Sequence, residues 1–139
     1  MPARVVEQRE MNVMDDDDVI LLRRQVRALA ERFGFDAFAT AAITTATSEL
    51  GRNMWRHGGG GTATVFELEH DGRAGVKVSF EDEGPGIADL ERVLQGGYSA
   101  VRSLGLGVSG SKRLVDEFDI DTAAGRGTTV TIIKWKRRW

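Results

Sequence analysis

Apolar positions recur along the chain with two different periods, and the changes between them mark out its elements. From Arg4 to Val13 charged and apolar residues alternate imperfectly, which predicts an edge strand with Val6, Met11 and Val13 facing inward. The acidic run Asp15 to Asp18 reads as a solvated turn plus a helix N-cap, because carboxylates favour the positive end of a helix. Val19, Leu22, Val26, Leu29, Ala30 and Phe33 then recur at helical spacing, and Gly34 supplies the stop. Asp36 caps a second, longer helix running to about Arg56, which Gly58 to Gly61 break. Two β-rich runs follow, Thr62 to His70 and Gly75 to Phe80, joined by a turn that begins at Asp71-Gly72. Beyond a Gly/Pro-rich loop at Asp82 to Gly86, a short helix starts at Asp89. The stretch from Gln95 to Gly107 is loop-like. A helix follows to about Phe118, with Val108, Leu114, Val115 and Phe118 inward. Strands at Asp119 to Thr122 and Thr128 to Trp135 close the chain around a turn at Gly125-Arg126-Gly127.

The resulting order, β-α-α-β-β-α-α-β-β, segregates strands and helices in pairs. It predicts an α+β fold, a two-layer sandwich with helices on one face of a mixed sheet, and it lacks the βαβ alternation of a dinucleotide-binding fold. At 139 residues the chain fits one domain, residues 1–139, large enough to bury a core. A formal net charge of -2 gives no general attraction to nucleic acid or to an anionic membrane. With no cysteine, disulfides, thiolate metal sites and cysteine nucleophiles are excluded. The N-terminus is too polar for a signal peptide and no apolar run reaches transmembrane length, so the expected location is cytoplasmic.

Four segments carry candidate chemistry. Glu49 and Asn53 lie one turn apart on the second helix, and His57 continues their stripe. Such a stripe is either a solvated face or a site. An asparagine beside a carboxylate can hold Mg²⁺ through oxygen and ordered water. Asp82 ends a β run. A strand-end carboxylate among glycines can accept a hydrogen bond from an exocyclic amine, and Gly84 and Gly86 let backbone approach a ligand, although the same residues also make a plain turn. Gly105-Leu106-Gly107 precedes a helix, where exposed backbone N–H groups can meet a phosphate. Gly125-Arg126-Gly127-Thr128-Thr129, taken alone, is a hairpin turn.

In their joint order these segments resemble the GHKL ATPase superfamily, whose members include gyrase B, Hsp90, histidine kinases and MutL. The Glu49 to Gly58 stretch looks like its N box, Asp82-Glu83-Gly84-Pro85-Gly86 like its G1 box, Gly105-Leu106-Gly107 like its G2 box, and Gly125-Arg126-Gly127-Thr128 like its last glycine-threonine box. Thr44 to Asn53, Gly97-Tyr98-Ser99, Lys112 to Phe118 and Ile133-Lys134-Trp135 look like the RsbT-type switch kinases of the stressosome, which are similar to the anti-sigma-factor kinases. This likeness runs from about the first helix to the C-terminus. Ala100 to Leu104 is bulkier than the Gly/Ser-rich lid expected there.

The resemblance implies the Bergerat-type ATP-binding fold and a serine/threonine protein kinase using ATP and Mg²⁺. It assigns Asp82 to the adenine amine, with Thr128 or Thr129 assisting. Asn53 holds Mg²⁺, and His57, Gly84, Gly86 and Gly127 belong to the nucleotide boxes. Gly105, Leu106 and Gly107 cradle phosphate. Glu49 serves as the base for a partner's serine or threonine hydroxyl. Arg102, in a lid over Gln95 to Leu104, is a candidate for reaching the γ-phosphate, though a solvated loop arginine is the plainer reading. The implied partners are a STAS-domain regulatory protein as phosphoacceptor and a second downstream regulator, a phosphatase or a sigma-factor pathway protein. A homodimer is one assembly the resemblance allows. A detached histidine-kinase ATP-binding domain is the first rival, but neither His57 nor His70 is placed like a phosphoacceptor. An anti-sigma factor using ATP as a structural ligand is the second, and it would not require Glu49. An ATPase clamp is the third, and the chain shows no transducer domain.

Overall fold

The computed structural model describes residues 3–84, 110–122 and 125–137. Its elements are β1 (Arg4–Val13), α1 (Asp16–Arg32), α2 (Ala37–Gly58), β2 (Gly61–His70), β3 (Arg73–Asp82), a helical turn at 110–114, β4 (Glu117–Thr122) and β5 (Thr128–Trp135).

Local chemistry sets most of the boundaries. Asp15 and Asp36 cap α1 and α2, their carboxylates accepting from the backbone N–H of Asp18 at 2.9 Å and of Ala39 at 2.7 Å. Gly34 follows α1 in the left-handed conformation at φ 79, as its place after Phe33 predicts. Gly58 remains helical instead of breaking α2, and Gly59 at φ 80 makes the left-handed cap. Asp71 and Gly72, at φ 53 and 75, form the two-residue turn that sets His70 opposite Arg73.

The sheet runs in the order β1-β2-β3-β5-β4, and every pairing is antiparallel, where a mixed sheet was expected. β3 and β4 do point the same way, but β5 inserts between them, so no parallel pair forms among the described strands. Both long helices pack on one sheet face. Val13, Ala63, Val65, Val76, Val78, Phe80, Val130 and Ile132 meet Val19, Leu22, Val26, Ile43, Ala46 and Leu50 in a single buried cluster. Gly51 brings the two helices close, since a Cβ there would lie 3.4 Å from a Val19 methyl.

Two boundaries differ from the pattern. Val6, expected inward, is 53% exposed. A register shift between Val5 and Glu7 resets the alternation of β1, leaving Val13 and the half-buried Met11 on the core side. The helix expected to reach Phe118 has ended by residue 115, and β4 begins at Glu117. Its start is fixed by β5. The Asp116 carboxylate accepts from the Trp135 backbone N–H at 2.7 Å, and the Glu117 carboxylate accepts from Trp135 Nε1 at 2.7 Å. Edge pairing thus overrides a helical apolar period. The expected helix at Asp89 and the Gln95 to Leu104 lid lie outside the described residues.

Candidate active site

Asp82 is the last residue of β3, half-buried where the C-terminal end of α2 meets the sheet. Its Oδ1 accepts from the Gly84 backbone N–H at 2.9 Å. Burial pushes its carboxyl up from the ordinary value, while the backbone N–H groups of Gly84 and Thr128 pull it down. Three glycines from three separate segments close around it. A Cβ at Gly58 would lie 2.5 Å from Asp82 Cγ, one at Gly84 would lie 2.6 Å from Gly58 Cα, and one at Gly127 would lie 2.3 Å from the Asp82 carbonyl oxygen. Residues far apart in the sequence therefore meet at this carboxylate, with no space for side chains between them.

Register settles which threonine lies beside it. Thr128 pairs with Asp82 and Thr129 with Glu81, so Thr128 shares the face of Asp82 while Thr129 shares the opposite face. Thr128 Oγ1 is 2.8 Å from Thr122 Oγ1, a hydroxyl pair across the strand turn that no sequence pattern reports. A cleft of about 270 Å³ opens at these strand ends, with Asp82, Thr122, Arg126 and Thr128 among its lining.

On α2, Glu49 and Asn53 fall on one stripe, both half-buried, and His57 is exposed a turn further on. The Glu49 carboxylate pairs with Arg52, three residues along. Arg52 stood inside the N-box stretch but carried no role in the sequence reading. Asn53 Nδ2 is buried and has no hydrogen-bond partner among the described residues. Gly86, Arg102, Gly105, Leu106 and Gly107 lie outside the described residues.

These residues fit a bound nucleotide. A half-buried carboxylate with glycine backbone from three segments packed around it suits a planar ring bearing an exocyclic amine, and the unsatisfied buried amide of Asn53 suits a polar ligand. The donor set of Glu49 and Asn53 is oxygen-rich, as Mg²⁺ requires. Among the described residues no cluster of three His, Cys, Asp or Glu could hold a metal by itself. A cation here would have to share its shell with phosphate and water.

Comparison with known proteins agrees with this architecture. The histidine kinase-like ATPase domain family matches residues 13–134, and the chain belongs to that family. It is 39% identical over 131 residues to the serine/threonine-protein kinase RsbT of Bacillus subtilis (strain 168), covering 94% of this chain and 98% of that protein. It is 28% identical over 118 residues to the anti-sigma F factor of Thermoanaerobacter sp. (strain X514), covering 81% of this chain and 82% of the other. The crystal structure of the RsbU and RsbW domains of Rv1364c from Mycobacterium tuberculosis superposes with a TM-score of 0.62 at 23% identity, over 95% of this chain. The chain spans about a third of that one, 33%, and the likeness is one of fold. The family resemblance drawn from the four boxes and the serine/threonine-kinase expectation are both borne out by these matches. No described helix is long and apolar enough to cross a membrane.

Proposed function

We propose that this chain transfers the γ-phosphate of ATP to a serine or threonine of a STAS-type regulatory protein, acting as a partner switch in stress or sigma-factor signalling. The observation that carries the reading is the convergence of glycine backbone at Gly58, Gly84 and Gly127 on the half-buried Asp82 carboxylate, at the strand-end cleft. Asp82 would accept the hydrogen bond of the adenine amine, with Thr128 at its side. Asn53 would hold Mg²⁺ together with phosphate oxygens, and that ion would neutralise charge on the phosphates.

Glu49 would take the proton of the acceptor hydroxyl. That oxygen bonds to the γ-phosphorus, the bond from the γ-phosphorus to its bridging oxygen breaks, and ADP leaves. The rest of catalysis is positioning, since phosphoryl transfer demands little covalent chemistry of the protein. One small domain has little room to grip an extended peptide, so a folded acceptor would dock on the surface. Ile20 and Leu21 on α1, Val5 and Val6 on β1 and Phe38 at the start of α2 are exposed apolar side chains on the elements suited to that role. The setting would be the cytoplasm. A sequestering role without catalysis is the second reading, favoured by the likeness to an anti-sigma factor. Incubation with γ-labelled ATP, Mg²⁺ and a STAS-domain protein, followed by phosphosite mapping, separates the two. Labelled serine or threonine supports the kinase, and a stable unlabelled complex supports sequestration.

A further inference from the structure

Beside the catalytic stripe, α2 carries a second polar stripe one position back. Ser48, Arg52 and Arg56 recur at four-residue spacing and face α1. Across from them, Asp16, Val19, Ile20 and Arg23 recur on α1, and the two rows enclose a cleft of about 280 Å³. Three arginines and one carboxylate line this space. Asp16 accepts from Trp55 Nε1 at 3.1 Å and pairs with Arg56 at 3.5 Å. Arg23 makes no ion pair among the described residues. Arg52 reaches out of the cleft to the Glu49 carboxylate.

Ser48 supplies an independent sign that something polar belongs here. It is only 6% exposed, and its Oγ has no hydrogen-bond partner among the described residues. Its helix neighbours behave otherwise. Thr44 Oγ1 donates to the Thr40 carbonyl at 2.8 Å, and Thr47 Oγ1 donates to the Ile43 carbonyl at 2.7 Å. A buried hydroxyl left unsatisfied beside excess guanidinium charge is what an oxyanion would complete.

We propose that the cleft between α1 and α2 is an oxyanion site, and that an oxyanion bound there draws the Arg52 guanidinium off Glu49. Arg52 lines the cleft with the second stripe, and its guanidinium pairs with Glu49 on the first. With the cleft empty it pairs with Glu49 and occupies the carboxylate that an acceptor hydroxyl would have to reach. With the cleft filled, Arg52 turns to the incoming anion, joined by Arg23, Arg56 and the Ser48 hydroxyl, and Glu49 is released. The oxyanion is either an acidic side chain or a phosphoryl group presented by a docked protein. Arg52 is thus a positioning residue for Glu49. Only the consequence for transfer rests on the kinase reading. Binding and the Arg52 movement are properties of the resting protein.

The test is nuclear magnetic resonance on the full chain without nucleotide, titrated with inorganic phosphate against sodium chloride of matched ionic strength. The expected result is saturable movement of the Arg23, Ser48 and Arg56 amides, together with the Arg52 Nε and Glu49 carboxyl carbon resonances. Arg23→Gln, and separately Arg56→Gln, should weaken this response by about tenfold, the loss of one charge-assisted hydrogen bond. An acetate titration separates the sources: a tighter response to phosphate assigns a phosphoryl group, and an equal or tighter response to acetate assigns an acidic side chain. Shifts confined to the region of Asp82 and Gly127, unchanged affinity in both variants, or unmoved Arg52 and Glu49 resonances would each overturn the proposal. None of these readouts needs phosphoryl transfer, so the kinase assignment stands or falls separately.

Discussion

Gly58 lies directly against Asp82: a Cβ at position 58 would come within 2.5 Å of the carboxylate carbon and within 2.6 and 2.8 Å of its two oxygens. Gly58 has ordinary helical backbone, so alanine there suits α2 and even favours it by about 1 kcal/mol of helix propensity. Among the described residues, the three atoms nearest to such a Cβ all belong to the Asp82 side chain. Gly58→Ala should therefore leave the protein folded while displacing that carboxylate and weakening ATP binding by about tenfold or more. Calorimetric titration with ATP and Mg²⁺, alongside circular dichroism, checks both halves. Unchanged affinity would separate Gly58 from the nucleotide site.

That relationship also marks how far the sequence could be read. Signals confined to a few neighbouring residues were legible: the Asp15 and Asp36 caps, Gly34 after α1, and the Asp71-Gly72 turn each depend on one local hydrogen bond or one positive φ. The boxes were legible as glycines and a carboxylate in order. Why Gly58 must be glycine was not, because its reason lies 24 positions away at Asp82. The start of β4 was hidden for a similar cause, since Trp135, at the end of the last strand, fixes Asp116 and Glu117. The antiparallel sheet depends on β5 inserting between β3 and β4, and no local pattern reports that insertion.

Asp82 is held at an energetic disadvantage that its function would explain. Burial raises its pKa in the folded protein above the ordinary value of 3.8 that it keeps in the unfolded chain. The native state thus keeps its proton to higher pH than the unfolded chain does, and charged Asp82 destabilises the fold at neutral pH. That penalty fades as pH falls through the raised native value and is gone below the unfolded one. Asp82→Asn should stabilise the nucleotide-free protein slightly at pH 7, by under about 1 kcal/mol because the group is only half-buried, and so raise its Tm. The gain should be smaller at pH 4 and vanish only below the unfolded value. The same variant should lose ATP binding by about a hundredfold or more, since an amide can set a donor against the adenine amine. Thermal melts at both pH values and a nucleotide titration read the two effects.

Gly127 and Gly125 flank one turn and both have positive φ, 83 and 79. Only Gly127 is also crowded, with the Asp82 carbonyl oxygen 2.3 Å from a prospective Cβ, whereas Gly125 faces open space. Gly125→Ala should cost about 1 kcal/mol, the conformational penalty alone. Gly127→Ala should cost at least about twice that and disturb Asp82 as well. Denaturant unfolding of the two variants gives the comparison, and equal losses would contradict it.

The account rests most heavily on Glu49 acting as the base in a protein that binds nucleotide through other residues. Single-turnover transfer of the γ-phosphate to a STAS-type acceptor, measured for the wild type and for Glu49→Ala at saturating ATP and Mg²⁺, tests this directly. The predicted result is unchanged ATP affinity with transfer slowed by about 10²–10⁴-fold, the usual effect of removing a general base. Transfer by Glu49→Ala at the wild-type rate would contradict the account.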